Sequence, residues 1–426
     1  MSETEVSVAP TKSKSILNED WAVVIIGFLI IGVVLSGMVV PVPSFGWTNT
    51  SDLTETIFTA TNFQKILLQF LVLLLAGIGA AVLTGIKLRD FIITFISIYF
   101  LTTLALVIAG NRTMKDYNLE AVIFSLLIGL LISNTLKLPD WFRKSITSEL
   151  FVKIGLVLLG TSIIFGDILK AGGLGLIQSL VVVISVWYFA FWLCKKMRID
   201  DEMTMMLSSA VSICGVSAAI ATSGAIKGDN KKLSYIISLV LIVAIPMMIF
   251  MPYLAKLMGL SQEVTGAWLG GTIDTSGAVV AAGTLVGEEA LKISTIVKFS
   301  QNVLLGIAAF AISVYWTYTG RFNKSGVDEK PTLKVIWQRF PKFVLGFILA
   351  SLFFSFVLSG QQVAAVKDSL KSVQNLWFAL AFTAIGLETR FADLFKQENR
   401  KPLYAFLIAQ FFNILITLAI AWLLFQ

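Results

Sequence analysis

Long apolar runs follow one another along the chain, separated by short polar stretches. A membrane-spanning helix needs about 20 mostly apolar residues, and a window of that length selects a series of candidate helices. They cover residues 22–42, 64–85, 90–109, 120–136, 148–165, 173–195, 203–227, 233–257, 264–286, 293–317, 338–359, 374–389 and 402–425. The pattern predicts an all-α polytopic membrane protein with about 11–13 transmembrane helices. The polar residues 1–20 are expected to form a disordered cytoplasmic tail.

Composition supports the membrane class. Hydrophobic residues make up 57% of the chain and charged residues 14%, whereas soluble domains average about 25% charged residues. The net charge of +7 comes without a basic cluster, so we expect the lipid bilayer and no nucleic acid as a partner. The chain has no His, and Cys194 and Cys214 lie in apolar runs. Neither a disulfide framework nor a His-based metal site is therefore expected.

The basic residues are distributed unevenly between alternate loops. If every apolar run crosses the membrane, about two thirds of the 33 Lys and Arg residues fall on the N-terminal side. Because basic loops are retained in the cytoplasm, we expect a cytoplasmic N-terminus.

Two segments of the chain resemble each other, LGTSIIFGDIL (159–169) and IGLETRFADLF (385–395). They share a Gly, a Phe and an Asp at a constant offset: Gly160 and Gly386, Phe165 and Phe391, Asp167 and Asp393. An odd number of predicted crossings separates the copies, so they should run antiparallel. Inverted repeats of this kind are typical of secondary transporters, whose sites lie at the repeat interface near the middle of the membrane.

The predicted organisation follows from these features. We expect extra N-terminal helices at 21–119, a first repeat at 120–258 with a broken helix near 212–217, a polar helix pair at 263–317, and C-terminal helices at 338–426 that contain the second copy of the 150–195 segment.

Two of the predicted spans are rich in small and polar residues, SSAVSICGVSAAIATSG (208–224) and GGTIDTSGAVVAAGTLVG (270–287). Such residues weaken a helix, which is tolerated inside a membrane only beside a protein-lined or watery cavity. We therefore predict discontinuous core helices, which present helix N-termini to anions and free carbonyls to cations. Close helix packing is the alternative. The candidate contacts in the first span are Ser212, Cys214, Gly215 and Ser217.

Asp274 stands in the second span, followed by Thr275, Ser276 and Gly277. A carboxylate at a helix centre costs at least about 2.5 kcal/mol, so such residues usually have a function. Carboxylate and hydroxyl oxygens together suit a coupling Na+, and the acid could instead carry a proton; a structural hydrogen bond is the plainer alternative. The D-T-S tripeptide resembles an aspartic protease loop, but that chemistry needs two carboxylates sharing one site.

Lys298 is the one lysine well inside an apolar run, and Ser300, Gln301 and Asn302 follow it. Gln301 and Asn302 lie three and four residues after Lys298, so they share its helix face. This patch could provide a counter-ion to Asp274 or contact an anionic substrate. Alternatively, Lys298 extends towards the membrane surface.

Several ordered motifs from about residue 120 onwards resemble the bacterial sulfate exporter family, inner-membrane proteins whose name is a provisional label. The motifs are LLIGLLISN (126–134), KIGLVLLGTSIIFGDIL (153–169), SICGVSAAIA (212–221), VVAAG (279–283), IVKFSQNVLLG (296–306) and IGLETRFADL (385–394). The family is grouped with cation–proton antiporters and bile-acid symporters. The resemblance implies inverted repeats, a mobile core with broken crossing helices, and a scaffold that often forms homodimers.

The chain departs from the family pattern at two places. Asp274 and Thr275 stand where the family carries a His-Glu pair, and Gln301 stands where it carries an Arg. The segments around Cys214 and Asp274 would also run parallel if both cross the membrane. They can form an inverted pair only if one span is re-entrant or the repeat is permuted.

Together these features predict an ion-gradient-driven secondary transporter of a small anion, such as a sulfur oxyanion, a sulfonate or a small carboxylate, working by alternating access. We expect no cofactor and no enzyme activity, with Na+ or H+ as the coupling ion and no firm metal site. The alternatives are a cation–proton antiporter that uses Asp274 and, less favoured, a membrane-embedded enzyme.

Overall fold

The computed structural model describes residues 16–38, 40–117, 119–318, 334–392 and 400–426. Its helices are α1 (Glu19–Leu35), α2 (Thr50–Asp52), α3 (Ala60–Thr84), α4 (Leu88–Ala109), α5 (Arg112–Asp116), α6 (Ala121–Thr135), α7 (Asp140–Ser145), α8 (Ser148–Leu159), α9 (Phe165–Lys196), α10 (Asp201–Ser212), α11 (Val216–Ile226), α12 (Asn230–Leu257), α13 (Gln262–Thr272), α14 (Ser276–Val286), α15 (Glu288–Tyr318), α16 (Lys334–Arg339), α17 (Lys342–Leu352), α18 (Gly360–Glu388) and α19 (Lys401–Phe425).

Among the described residues, 7 helical stretches are long and apolar enough to cross a membrane, and shorter apolar helices accompany them. The predicted class, an all-α polytopic membrane protein, is therefore confirmed. Each predicted span coincides with a helix or, for 203–227 and 264–286, with two short helices. Residues 1–15 of the predicted tail and Asp393 of the predicted repeat lie outside the described residues.

The helices form two bundles. In the first, α18 packs against α6 and α8, α1 packs against α3, α8 and α17, and α4 packs against α6. In the second, α15 packs against α9, α11, α13 and α14, while α19 packs against α9 and α13. Between the bundles, α14 contacts α6, α8 and α18, and α17 contacts α9. We call them the α18 bundle and the α15 bundle.

The span predicted at 203–227 does not cross the membrane. Helices α10 and α11 have 12 and 11 residues, about 18 and 16 Å, so each reaches about halfway through a hydrocarbon core of about 30 Å. Lys232 Nζ donates to Asp200 Oδ1 at 2.6 Å and to Glu202 Oε2 at 3.1 Å. The start of α10 and the start of α12 therefore lie at the same end of the bundle. Residues 201–226 form a re-entrant hairpin, hairpin A.

The span predicted at 264–286 also turns back. Ala290 at the start of α15 donates its backbone N–H to Gln262 Oε1 at the start of α13, at 3.3 Å. Gly270 on α13 and Gly283 on α14 both lie against Ser294, since a Cβ on either would come within 2.6 Å of its atoms. Helix α13 thus enters beside α15, and α14 returns along it. Residues 262–286 form a second re-entrant hairpin, hairpin B.

The hairpins enter from opposite ends of the bundle, because α12 runs from the base of hairpin A to the base of hairpin B. This corrects the predicted topology, in which both spans crossed the membrane. With hairpin A turning back, the side that holds Lys195 and Lys196 also holds Lys227, Lys231 and Lys232. The excess of basic residues on the N-terminal side of the membrane is therefore larger than predicted. Two re-entrant segments also explain how the Cys214 and Asp274 segments can oppose each other.

Helices α8 and α18 run antiparallel. Ser148 at the start of α8 donates its hydroxyl to Glu388 Oε2 at the end of α18, at 2.5 Å. Further along, a Cβ on Gly155 would lie 2.4 Å from the ring of Phe378. The predicted duplication of the segments that begin with α8 and α18 requires this antiparallel course.

Candidate functional site

The tips of the two hairpins touch each other inside the α15 bundle. Gly215, in the tip of hairpin A, has φ +58° and ψ −108°, a conformation that residues with a Cβ rarely adopt. A Cβ at this position would lie 3.0 Å from Asp274 Cβ and 2.6 Å from Val240 Cγ1. The glycine therefore permits both the turn and the contact with Asp274 in the tip of hairpin B. Two residues predicted from separate spans are thus brought together.

Helix α15 satisfies the carbonyls that the ends of α10 and α13 leave without helical partners. Lys298 Nζ donates to Ile213 O at 3.0 Å and to Gln301 Oε1 at 2.7 Å. Gln301 Nε2 in turn donates to Ser212 O at 2.9 Å and to Gly271 O at 3.3 Å. One side-chain amide therefore bridges the tips of both hairpins, and the lysine fixes that amide.

Helix α19 supplies a second bridge, which sequence reasoning missed. Asn413 Nδ2 donates to Val211 O at 3.1 Å and to Thr272 O at 3.3 Å, and Gln410 Nε2 donates to Thr272 O at 2.9 Å. Both side chains are buried. The available signal was a pair of amides three residues apart, hence on one helix face, in an otherwise apolar run.

Loss of the Asn413 amide should destabilise the protein. In the Asn413→Leu variant Val211 O loses its side-chain donor and the Thr417 hydroxyl loses its acceptor, while Thr272 O keeps the bond from Gln410. Each buried group without a partner costs about 1–3 kcal/mol. We expect a clearly lower midpoint of thermal unfolding for the purified protein in detergent. The Gln64→Leu variant, at an exposed position of α3, is the control and should unfold at the parental temperature. An unchanged midpoint for Asn413→Leu would show that the bridge carries no stability.

Asp274 and Lys298 are both buried, with 2% and 1% of their surfaces exposed. Lys298 therefore does not extend to the membrane surface. Within the described part of the chain its ammonium forms no ion pair with Asp274 at 4.0 Å or less. The two charges still act on each other over a longer distance, so the counter-ion role of Lys298 stays a prediction. Asp274 Oδ2 has no hydrogen-bond partner among the described residues. The plainer alternative, a structural hydrogen bond, is not made by this oxygen.

A cavity of about 370 Å³ lies on the other face of the tips. It is lined there by Cys214, Ser217, Thr275, Ser276 and Asn302, all of which were predicted site residues. Four of them stand at the start of the returning helices α11 and α14, where backbone N–H groups lack helical partners and the helix dipole is positive. The cavity therefore has two helix N-termini at its inner end.

Asn302 connects this inner end to α15. Its Nδ2 donates to Ser276 Oγ at 3.3 Å, and its Oδ1 has no donor among the described residues. Thr275 accepts from Ala278 N at 3.3 Å and caps α14. These hydroxyl and amide groups can hydrogen-bond a small polar molecule.

Two predicted residues have other surroundings. Ser300 Oγ donates to Ile296 O at 3.0 Å and to Gly172 O at 3.4 Å, so it faces α9 and lies away from the tips. Gly277 packs against the α18 bundle, where a Cβ would lie 2.9 Å from Ile385 Cδ1. Neither Ser300 nor Gly277 is among the residues that line the cavity.

The outer end of the same cavity is charged, which the sequence reading did not anticipate. Lys153 Nζ lies 2.7 Å from Glu19 Oε1, 3.1 Å from Asp20 Oδ1 and 3.5 Å from Glu149 Oε2. Arg339 also lines the cavity. These residues stand at or near the starts of α1, α8 and α17, and in sequence such positions look like ordinary helix ends at a membrane surface.

A cation beside Asp274 would need oxygen ligands from the tips. The carbonyls of Val211, Ser212, Ile213, Gly271 and Thr272 each already accept a hydrogen bond from a side chain of α15 or α19. The Asp274 carboxylate and the hydroxyls that follow it are ligand candidates without this competition.

The fold and the site define a polytopic membrane protein with two opposed re-entrant hairpins. A family model described as "Conserved hypothetical protein 698" matches residues 91–405, and the chain belongs to this family. It is 38% identical over 376 residues to a UPF0324 membrane protein of Rhodopirellula baltica, covering 86% of this chain and 69% of the relative. A UPF0324 membrane protein of Nitratidesulfovibrio vulgaris is 37% identical over 374 residues, covering 83% and 63%.

The comparisons confirm the predicted membership in a family of conserved membrane proteins. The chain spans 69% and 63% of the length of these two relatives. The matched range includes both hairpins and Lys298 but stops before Gln410 and Asn413. The names of the relatives give no substrate.

Proposed function

We propose that the protein is an ion-gradient-driven secondary transporter of a small molecule with an anionic group. The observation that carries the proposal is the pair of re-entrant hairpins, which enter from opposite ends, touch at Gly215 and Asp274, and turn their returning helices towards one cavity. Interrupted helices at membrane depth are tolerated only where protein or a cavity surrounds them, and transporters place substrate and coupling-ion sites at such interruptions.

The inner end of the cavity favours negative charge. Helices α11 and α14 both begin there, and a helix N-terminus offers unpaired N–H groups together with a positive dipole end. Ser217, Thr275 and Ser276 add hydroxyls at the same place. A carboxylate, sulfonate or oxyanion can accept hydrogen bonds from these groups, although no cationic side chain is among the lining residues at the inner end.

Alternating access would arise at the contact between the bundles. Helix α14 lines the cavity beside the tips with Ser276 and lines a second cavity of about 480 Å³, near the base of hairpin B, with Thr284. Between these points α14 rests on the α18 bundle through Gly277, which meets Ile385 and Val152. Because Gly277 has no side chain, α14 could slide past Ile385 and Val152 at this contact and open one cavity or the other.

Asp274 would couple transport to the ion gradient. Its unpaired Oδ2 can accept a proton. Five carbonyls of the tips already accept hydrogen bonds from α15 or α19, so we favour H+ over Na+ as the coupling ion. The same unpaired carboxylate favours a second candidate function, a cation–proton antiporter. We place the protein in the bacterial inner membrane with a cytoplasmic N-terminus, because the hairpin topology strengthens the bias of basic residues. No enzyme activity is proposed.

Substrate flux into liposomes tests the proposal. Purified protein should take up a labelled small carboxylate, sulfonate or zwitterionic analogue when a proton gradient is imposed. The Thr275→Val variant loses a hydroxyl at the cavity, and loss of a hydrogen bond to a charged group costs about 1.5–3 kcal/mol, so KM should rise at least about tenfold. Thr61→Val, at an exposed site, should behave as the parent.

The Asp274→Asn variant separates the two candidate functions. We expect it to retain exchange of labelled for unlabelled substrate but to lose accumulation driven by the gradient. Accumulation unchanged by this substitution would contradict the coupling role. Proton release on addition of Na+ or K+, without flux of any anionic or zwitterionic molecule, would favour the antiporter.

A further inference from the structure

The cavity beside the hairpin tips has two ends of opposite electrical character. Its inner end is formed by the N-termini of α11 and α14 and holds no acidic or basic side chain among its lining residues Cys214, Ser217, Thr275, Ser276 and Asn302. Its outer end is lined by acidic and basic residues of the α18 bundle and the segment before α17. A molecule that fills the cavity contacts both ends together.

Acidic groups are in excess at the outer end. Glu19, Asp20 and Glu149 share the single ammonium of Lys153, and Arg339 is the other basic residue that lines the cavity. Among the described residues that line the cavity, three carboxylates therefore face two cationic groups. Lys342 lies outside this lining and offsets the charge of Asp20, which leaves Glu149 as the carboxylate in excess. The side chain of Glu149 is 50% exposed and is the farthest of the three from Lys153 Nζ, at 3.5 Å, so it is the carboxylate with most capacity for a further cationic partner.

A simple anion fits this arrangement poorly. Sulfate or propanoate would gain hydrogen bonds from the helix N-termini but would meet surplus carboxylates of like charge on its way to them. Like-charge contacts are a strong means of excluding wrong ligands. A molecule that also carries an ammonium group turns this repulsion into attraction.

We propose, on the basis of the transport function above, that the substrate is a small zwitterion. Its carboxylate or sulfonate would accept hydrogen bonds from the N-termini of α11 and α14, and its ammonium would lie against Glu149 at the outer end. Asn302 lines the cavity between hairpin and α15, is 5% exposed, and has an Oδ1 without a donor among the described residues. This oxygen is a buried polar group at the inner end that lacks a partner until a ligand or a water molecule donates to it.

Matched pairs of substrates test the inference in liposomes that contain the full chain. The probes are β-alanine with propanoate, and 3-aminopropanesulfonate with propanesulfonate, together with sulfate. Each pair differs by one ammonium group. We expect exchange of the zwitterions to be at least tenfold faster than exchange of their partners or of sulfate. Equal or faster exchange of the simple anions overturns the zwitterion inference but leaves the anion transporter standing; flux of none of the probes contradicts both.

The Glu149→Gln variant tests the proposed contact. It keeps the shape of the side chain and removes one surplus charge, so the KM for β-alanine should rise about tenfold while uptake of propanoate stays the same or increases. The ratio of the two rates reports selectivity and is insensitive to the amount of folded protein. Glu263→Gln, at an exposed acid in the first turn of α13, should leave the ratio unchanged.

A second variant covers the case in which Glu149→Gln fails to fold, as judged by size-exclusion chromatography. Glu19→Gln removes another carboxylate of the same cluster, and it should shift the ratio in the same direction. A parental ratio in either folded variant contradicts a role for these carboxylates in selectivity.

Discussion

The Lys298→Met variant is expected to lose most of its transport activity and several kcal/mol of stability. Methionine keeps the apolar stem but leaves Ile213 O and Gln301 Oε1 without the ammonium that now donates to both. Each buried group that loses its partner costs about 1–3 kcal/mol. The effect should exceed that of most single substitutions, since the freed Gln301 amide also bridges both hairpin tips.

Thermal unfolding in detergent and exchange flux in liposomes measure the two effects. Lys292→Met is the matched control, because Lys292 lies on the same helix, is partly exposed and pairs with Glu289 at 3.3 Å. Surface pairs of this kind contribute about 0–1 kcal/mol, so the control should be nearly as stable and active as the parent. A stable and active Lys298→Met protein would show that the ammonium does not hold the tip of hairpin A.

The Gly215→Ala variant should have the other large effect, because one methyl group meets two obstacles. A residue with a Cβ at φ +58° and ψ −108° is strained by about 1–3 kcal/mol. The new Cβ would also approach Val240 Cγ1 to 2.6 Å and Asp274 Cβ to 3.0 Å, so the tips must separate. We expect transport to be abolished even if enough protein folds for assay.

Two further variants distinguish strain from crowding. Gly173→Ala, in α9, adds a methyl group with no atom within 4 Å and should be neutral or slightly stabilising, because alanine favours helix. Gly215→Ala combined with Val240→Ala removes the closest clash but neither the backbone strain nor the contact with Asp274. Partial recovery of stability without recovery of flux is expected; full recovery of flux would contradict the importance of the tip contact.

The apolar runs predicted the helices well, since burial in lipid requires long uninterrupted hydrophobic segments. The interruptions at Cys214 and Asp274 were also predictable, because small and polar residues cluster there. Hydropathy could not distinguish a broken helix that crosses the membrane from a hairpin that turns back. In both arrangements two helices of 11 or 12 residues fill the same window of about 25 residues. The pairing of Lys232 with Asp200 and Glu202 reveals the hairpin, and no local pattern predicts a contact across 30 residues.

Part of the site could be predicted from the sequence, and the rest depends on contacts between distant segments. Gly215, Asp274, Lys298 and Gln301 are unusual residues for their surroundings, so the sequence indicated them. Asn413 was not predicted, because a single amide changes the hydropathy of α19 very little. The two hydrogen bonds that this amide donates nevertheless join both hairpin tips. The charged outer end was missed because Lys153 gains its meaning only from the fold, which brings α1 and α8 together.

The two bonds of Asn413 also constrain how the chain is assembled during synthesis. Val211 precedes Asn413 by 202 residues, which takes roughly 10–40 s to synthesise at about 5–20 residues per second. Throughout that interval hairpin A is already made but lacks its last donor. Its tip cannot remain bare in lipid, so it must wait near the aqueous surface or in the protected environment of the insertion machinery. We therefore expect hairpin A to reach its final depth late, after α19 has been made.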